Sequence, residues 1–218
     1  MNNEQFIHIA ESEFATPAWE VTRQYLAIHG PAYLDEKLSI ARIDREREDG
    51  LAVVYVPVVG ERFYFAVYID TITQQITSVG TEANHRVSFK AFSNELSLRD
   101  MQNMTLLQAT HCWNKGDQKP NTYLNYSYSF IEIQPNPEPD EFEDKLKKLL
   151  DRLEVDADGI RQLAQKAGGY IQVSSDIHNG NGLIGGFHIT AVQMARMAAL
   201  GLNIDIDQCV SGKRFPEE

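Results

Sequence analysis

The chain is short of cysteine, of positive charge and of long apolar runs. Cys112 and Cys209 are the only cysteines in 218 residues, too few for a disulfide framework. Two reduced thiols are expected, as suits a cytosolic chain. No apolar run approaches the roughly 18 residues that a membrane-spanning helix needs. The opening Met1-Asn2-Asn3-Glu4-Gln5 has neither the basic region nor the apolar stretch of a secretory signal. The expected location is therefore cytoplasmic, with no membrane partner. Lys and Arg number 20 against 31 Asp and Glu, a net charge of -11. Phosphate contacts need a basic surface, so a nucleic-acid partner is not expected. The same acidity would steer a basic protein partner, or serve only to keep the protein in solution.

What is present is an ordinary globular composition, 43% hydrophobic and 23% charged, which argues against disorder. Pro17, Trp19, Tyr25, Leu26 and Ile28 predict a helix over 17–29, ended by Gly30-Pro31. Residues 51–59 are apolar on both faces and predict a well-covered strand. Pro57 removes a ladder donor and predicts an edge or a bulge. Strands over 62–70 and 75–79 complete an antiparallel meander.

In the second half, 85–92 predicts a strand and Ser97 to Asp100 a capping box opening a short helix. Residues 111–121 predict a loop, and the alternation over 123–133 a strand. After the break at Pro135, Pro137 and Pro139, Asp140 with Glu143 predicts a capped helix. Its stripe is Phe142, Leu146, Leu149, Leu150 and Leu153, with Glu141–Lys145, Glu143–Lys147 and Asp144–Lys148 as i,i+4 pairs. Further helices are expected over 160–167 and from a Thr190 cap to Leu200. Strands are expected over 170–177, 183–189 and 202–207. The fold class is α+β: antiparallel sheets, helices packed on one face, and two small modules over 1–82 and 83–212 with a tail at 213–218.

Two segments imitate ligand loops. Gly180-Asn181-Gly182-Leu183-Ile184-Gly185 matches GxGxxG, but a dinucleotide site needs the third glycine at a helix start. Strand-like Leu183–Ile189 intervenes, so a hairpin turn is the better account. Glu154–Gly159 resembles a calcium loop, yet Glu154 replaces the first Asp and Gln165 the bidentate carboxylate. Asp156 or Asp158 reads instead as a helix cap.

No HExxH, GxSxG or P-loop pattern occurs, and nothing places a base beside Cys112. His178 and His188 flank the glycine turn. Across a hairpin they would approach each other, and with Asp205 and Asp207 on one strand face they would form a carboxylate–histidine site. Exposed hairpin and strand-end polar groups are the plainer account. Trp113-Asn114-Lys115-Gly116-Asp117 places an aromatic beside a cation and a glycine. The expectation is that Trp113 plugs the core while Lys115 to Asp117 turn, with Trp113 and Lys115 as binding residues the alternative.

From about Val87 to Asp207 the chain resembles a bacterial family known as domain of unknown function 4279. The resemblance is carried by the Trp113-Asn114-Lys115-Gly116-Asp117 loop, the Phe142–Leu153 helix after a Pro/Glu-rich break, and the closing Leu200-Gly201-Leu202-Asn203-Ile204-Asp205-Ile206-Asp207. The family usually continues with an aromatic residue where Gln208 stands. The resemblance implies a small cytosolic bacterial protein without assigned chemistry, from a family some of whose members occur beside toxin–immunity genes. It supplies no catalytic residues. It leaves the first 80 residues unplaced.

The expected function is thus a non-catalytic binding protein, of the kind that neutralises a toxin by stoichiometric binding, without cofactor or metal. The rival expectation is a small-molecule or metal-dependent enzyme using His178, His188 and Asp205. A homo-oligomer built on the aromatic strands near Phe63 and Tyr126 is a third.

Overall fold

The computed structural model describes residues 2–180 and 184–215. The fold is α+β, with a four-stranded sheet in the first half and a five-stranded sheet in the second. Each sheet has its own apolar core.

Helix α1 (Asn3–Ala15) opens the chain, where the sequence reading had placed no element. Its signal is present: Asn2 and Gln5 form a capping box, and Phe6, Ala10 and Phe14 recur every fourth residue and are buried. Helix α2 (Glu20–Leu26) is shorter than the expected 17–29. The buried carboxylate of Glu13 accepts the N–H groups of Ala18 and Trp19 at 3.2 and 3.1 Å, so α1 serves the start of α2 in place of a side-chain cap.

A small hairpin, β1 (Tyr33–Leu34) and β2 (Lys37–Leu38), precedes the meander β3 (Arg42–Asp44), β4 (Leu51–Pro57), β5 (Tyr64–Asp70) and β6 (Ile76–Glu82). All its pairings are antiparallel. Strand β4 lies inside the sheet rather than at its edge, and Pro57 occupies its last position, beyond the stretch paired with β3. Its two apolar faces both find cover. Ala52, Val54 and Val56 join Phe6, Phe14, Tyr25, Phe65 and Val67 in the first core, while Val53 and Tyr55 pack with Ala66 on the reverse side. Phe63 is buried in that first core, so it offers no surface for self-association.

After Glu82 the chain turns at Ala83 and enters β7 (Asn84–Ser93), in the second sheet. Helix α3 (Leu98–Gln102) has the expected Ser97–Asp100 capping box. Strand β8 (His111–Trp113) forms where a loop was expected, because three residues are too few for a periodic signal. Strand β9 is confined to Ser129–Ile133. The alternation upstream belongs to a projecting loop, in which Lys119 and Tyr126 bond to Leu124 and Asp117 and Tyr123 is fully exposed. Helix α4 (Phe142–Leu153) buries its whole predicted stripe.

A short 3-10 turn (Glu154–Asp156) leads into helix α5 (Ala157–Lys166). Asp156 caps it, accepting from the Gly159 N–H at 3.2 Å. A Cβ at Gly159 would lie 2.5 Å from the Met104 carbonyl oxygen. That glycine answers to close packing, not to a calcium turn.

Strand β10 (Tyr170–His178), helix α6 (Ala191–Ala199) and strand β11 (Ile204–Ser211) close the fold. Thr190 caps α6 as expected, and Gly201 ends it with φ +69°. The second sheet runs β11-β10-β7-β9-β8. Its pairings are antiparallel except that of β11, which is parallel to β10. The parallel pair follows from the connection through α6, since an antiparallel neighbour needs only a tight turn. Leu146, Leu149, Leu150, Ile160, Leu163 and Met197 cover one face of the sheet, against Val87, Phe89, Ile131, Ile171 and Val173.

Asp140 does not cap α4. The N-cap is Glu141, without a side-chain bond. Asp140 sits one residue earlier, fully buried at its side chain, and binds Arg42 at 2.9 Å and Lys148 at 2.6 Å. Asn136 donates to it at 2.6 Å. Burial pushes this carboxyl up, but Lys148 and Arg42 pull it below its ordinary value. Two of the expected i,i+4 pairs are diverted by this arrangement. Lys148 serves Asp140, and the buried Lys145 ammonium donates to the Asn136 and Glu138 carbonyls. Lys147 pairs forward with Asp151.

Replacing Asp140 by Ala leaves Arg42, on β3, and Lys148, on α4, without their shared partner. Arg42 keeps Asp44 at 3.3 Å and Lys148 is partly solvated, so we expect a loss of about 2–3 kcal/mol in urea unfolding, the scale of hydrogen bonds to a charged group. A loss under about 1 kcal/mol, the scale of an exposed pair, would contradict this reading.

Candidate functional site

The face of the second sheet that the helices leave open carries the odd-looking side chains of the sequence. Alternation sends Val87, Phe89 and Ala91 into the core, and therefore Arg86, Ser88, Lys90 and Phe92 to the other side. Register then assembles rows. Trp113 lies opposite Phe130, and Phe130 opposite Phe92. Next come His111, Glu132, Lys90 and Tyr170, each the neighbour of the one before. Ser88, Gln172 and Asp205 form a third row, and Arg86, Ser174 and Asp207 a fourth.

The aromatic row is tightly stacked. Trp113 lies 4.1 Å from the Phe130 ring and 4.4 Å from Tyr126, both nearly parallel. Trp113 therefore does not plug the helix-side core, because its strand position points to the open face. The turn after it does form: Gly116 has φ +92°, Asp117 accepts from the Asn114 N–H at 2.9 Å, and Lys115 donates to the Asn94 carbonyl at 2.8 Å.

The charged row is satisfied internally. Glu132 accepts from Ser88 at 2.8 Å and faces Lys90 at 3.7 Å and His111 at 3.2 Å. Arg86 is held by Asp176 at 2.7 Å. Asp205 and Asp207 differ. They are exposed on β11 and, among the described residues, join no ion pair; Asp207 accepts only an amide N–H from Gln172 at 3.0 Å. Among those residues, too, β11 has β10 as its one neighbouring strand. The face thus offers paired cations inside and unpaired carboxylates along a free edge.

The expected His178–His188 hairpin does not form. Residues 184–189 adopt no strand, and 181–183, half of the GxGxxG match, lie outside the described residues. The neighbouring Phe187 is drawn onto Phe142, at 4.8 Å, and the helix-side core, which holds the segment away from β10. His188 lies in that exposed segment, with its N–H on Glu143 at 3.0 Å. His178 is buried where the two halves meet, its Nε2 3.1 Å from that of His29 and 3.0 Å from the Lys213 carbonyl. A carbonyl only accepts, so the His178 proton is assigned to Nε2, and His29 accepts through its own Nε2. His178, His188 and Asp205 are not brought together. Among the described residues no three His, Cys, Asp or Glu side chains gather to hold a metal ion. Cys112 and Cys209 are both free and exposed, and no helix is long and apolar enough to cross a membrane.

The sequence reading missed Glu132, Lys90, His111, Phe92, Phe130, Tyr170 and Gln172 as members of this face. Their signal was the alternation within each strand. What that pattern lacks is which strands are neighbours, and only pairing supplies it.

The chain belongs to the family described as domain of unknown function (DUF4279), whose model matches residues 82–211, more than half of its length. The match begins at the end of β6 and ends with β11, so it spans the five-stranded sheet and its helices. No curated protein and no solved structure matches the chain.

Two imidazoles of the second sheet carry a pH dependence. Burial, helped by the Lys145 charge, brings His85 down to about 4; burial also lowers His178. The unfolded chain takes up these protons near 6.5 and the folded protein resists them. The unfolded state therefore binds more protons between about 6.5 and 4, and stability falls as pH falls through that interval. Unfolding free energies at about pH 7 and pH 5 should show this loss, and His85→Gln should lose less between the two values. Equal losses in the two proteins would rule out His85 as a source.

Proposed function

We propose that this member of the family is a non-catalytic binding protein which recognises a basic protein partner through the open face and free edge of its second sheet, as an immunity-type inhibitor recognises a toxin. The observation that carries this is the acidic edge strand. Over the eight residues of β11, Asp205 and Asp207 project to the open face at a spacing of two and lack counter-ions among the described residues. An extended partner segment pairing with such an edge gains backbone hydrogen bonds, and its alternate side chains fall beside these two carboxylates. Lys or Arg there would be matched residue for residue. The net charge of -11 adds long-range attraction, which acts chiefly on the association rate. The aromatic row beside Phe92, itself 45% exposed, supplies apolar contact area of the kind enriched in interface centres.

Binding to the product of the adjacent gene, with protection of cells from its toxicity, is the direct test. Reversing both charges, Asp205→Lys with Asp207→Lys, should slow association about tenfold and weaken its salt dependence. Phe92→Ala should instead act on dissociation. Absence of binding and protection, or an association rate indifferent to the charge reversal, would sink the proposal.

A further inference from the structure

A second feature, independent of the sheet face, lies where the two halves meet. Between the β6–β7 corner, the start of α4 and the Ile184–Phe187 segment is a half-enclosed cavity of about 250 Å³. Thr81, Glu82, His85 and Glu141 supply its polar lining, and Ile177, Ile184 and Phe187 most of its apolar lining. Gly185 and Gly186 form part of the outer wall.

Glu82 is the unusual member. Its carboxylate accepts a hydrogen bond from the Tyr68 hydroxyl, and among the described residues no Lys, Arg or His lies within ion-pair distance of it. The nearest guanidinium chemistry is already committed: Arg47 holds Asp49 and Glu141, each at 2.9 Å. A partly buried carboxylate without a cation partner loses part of its hydration without compensation. Here burial, reinforced by Glu141 and opposed by the Tyr68 bond and the more distant Arg47 charge, raises the Glu82 carboxyl above its ordinary value. His85 is held in place by Ser175 at 2.7 Å, and burial keeps it neutral down to about 4. It therefore presents no positive charge to a guest.

We propose that this cavity binds a small organic cation, an ammonium or guanidinium group on a short apolar body, with Glu82 as its counter-charge. An anion is disfavoured because it would meet the Glu82 carboxylate, whereas Glu141 is already held by Arg47. The volume falls below the roughly 300–1,000 Å³ of pockets for drug-sized ligands, so the guest is a short chain. Its apolar body rests on Ile177, Ile184 and Phe187. When the cation enters, the Glu82 carboxylate pairs with it.

Calorimetry with butylammonium and butylguanidinium, against butanol and butyrate as neutral and anionic controls, tests this on the full chain. The expected result is saturable binding of a cation and of neither control. Glu82→Gln, which removes the counter-charge, should weaken binding at least tenfold. Ile184→Trp, which fills the cavity from its outer wall, should do the same. Asp158→Asn, far out on α5, should change nothing. No saturable cation binding, equal binding of butyrate or butanol, or unchanged affinity in both Glu82→Gln and Ile184→Trp would overturn the proposal. None of these results bears on partner binding at β11.

Discussion

Asp140 is a carboxylate without solvent access that receives charge from both halves of the molecule. Arg42 reaches it from β3 and Lys148 from α4, and Arg42 also donates to the Pro139 carbonyl at 2.8 Å. Removing Asp140 and most of Arg42 from water is costly, and their attraction, with Lys148 reaching in from a half-exposed position, offsets that cost only with good geometry and further hydrogen bonds. Asn136 supplies one such bond. The reverse face of the first sheet, with Val53 and Tyr55, depends on this arrangement, because the segment before α4 is pinned there. So does the cavity beside Glu82, whose wall includes the start of that helix.

The junction concentrates the molecule's polar burial. Lys145, His85, Glu82, His29 and His178 all lie near it, whereas the cores on either side are apolar. Burial brings the Lys145 ammonium down to about 8, and Asp140 opposes that shift. Polar contacts of this kind specify geometry more than they add stability, since a hydrogen-bonded ion has one satisfied arrangement and many unsatisfied ones.

The α+β class, most strands, the α4 stripe and the Ser97, Asp156 and Thr190 caps were legible in the sequence, because each rests on local periodicity or a capping residue. What escaped was set by distant partners. Asp140 sits at a cap-like position, yet Arg42, nearly a hundred residues away, claims it. Residues 184–189 have strand-like composition, but Phe187 is drawn onto Phe142 and leaves β10 to pair with β11. The free edge at Asp205 and Asp207 follows from that substitution of partners. The individual acidic residues could be read from the chain. Their lack of counter-ions could not.

The last described residues belong to the first core. Phe215 packs 5.2 Å from Tyr25 and 5.9 Å from His178, Lys213 provides the carbonyl beside His178, and Ser211 donates to Glu61 at 3.2 Å. A ribosome makes the meander long before it makes Phe215. During synthesis, at roughly 5–20 residues per second, the first core waits for Phe215 to pack beside Tyr25. The two halves therefore do not mature strictly in the order in which they are translated: the first receives residues that follow β11.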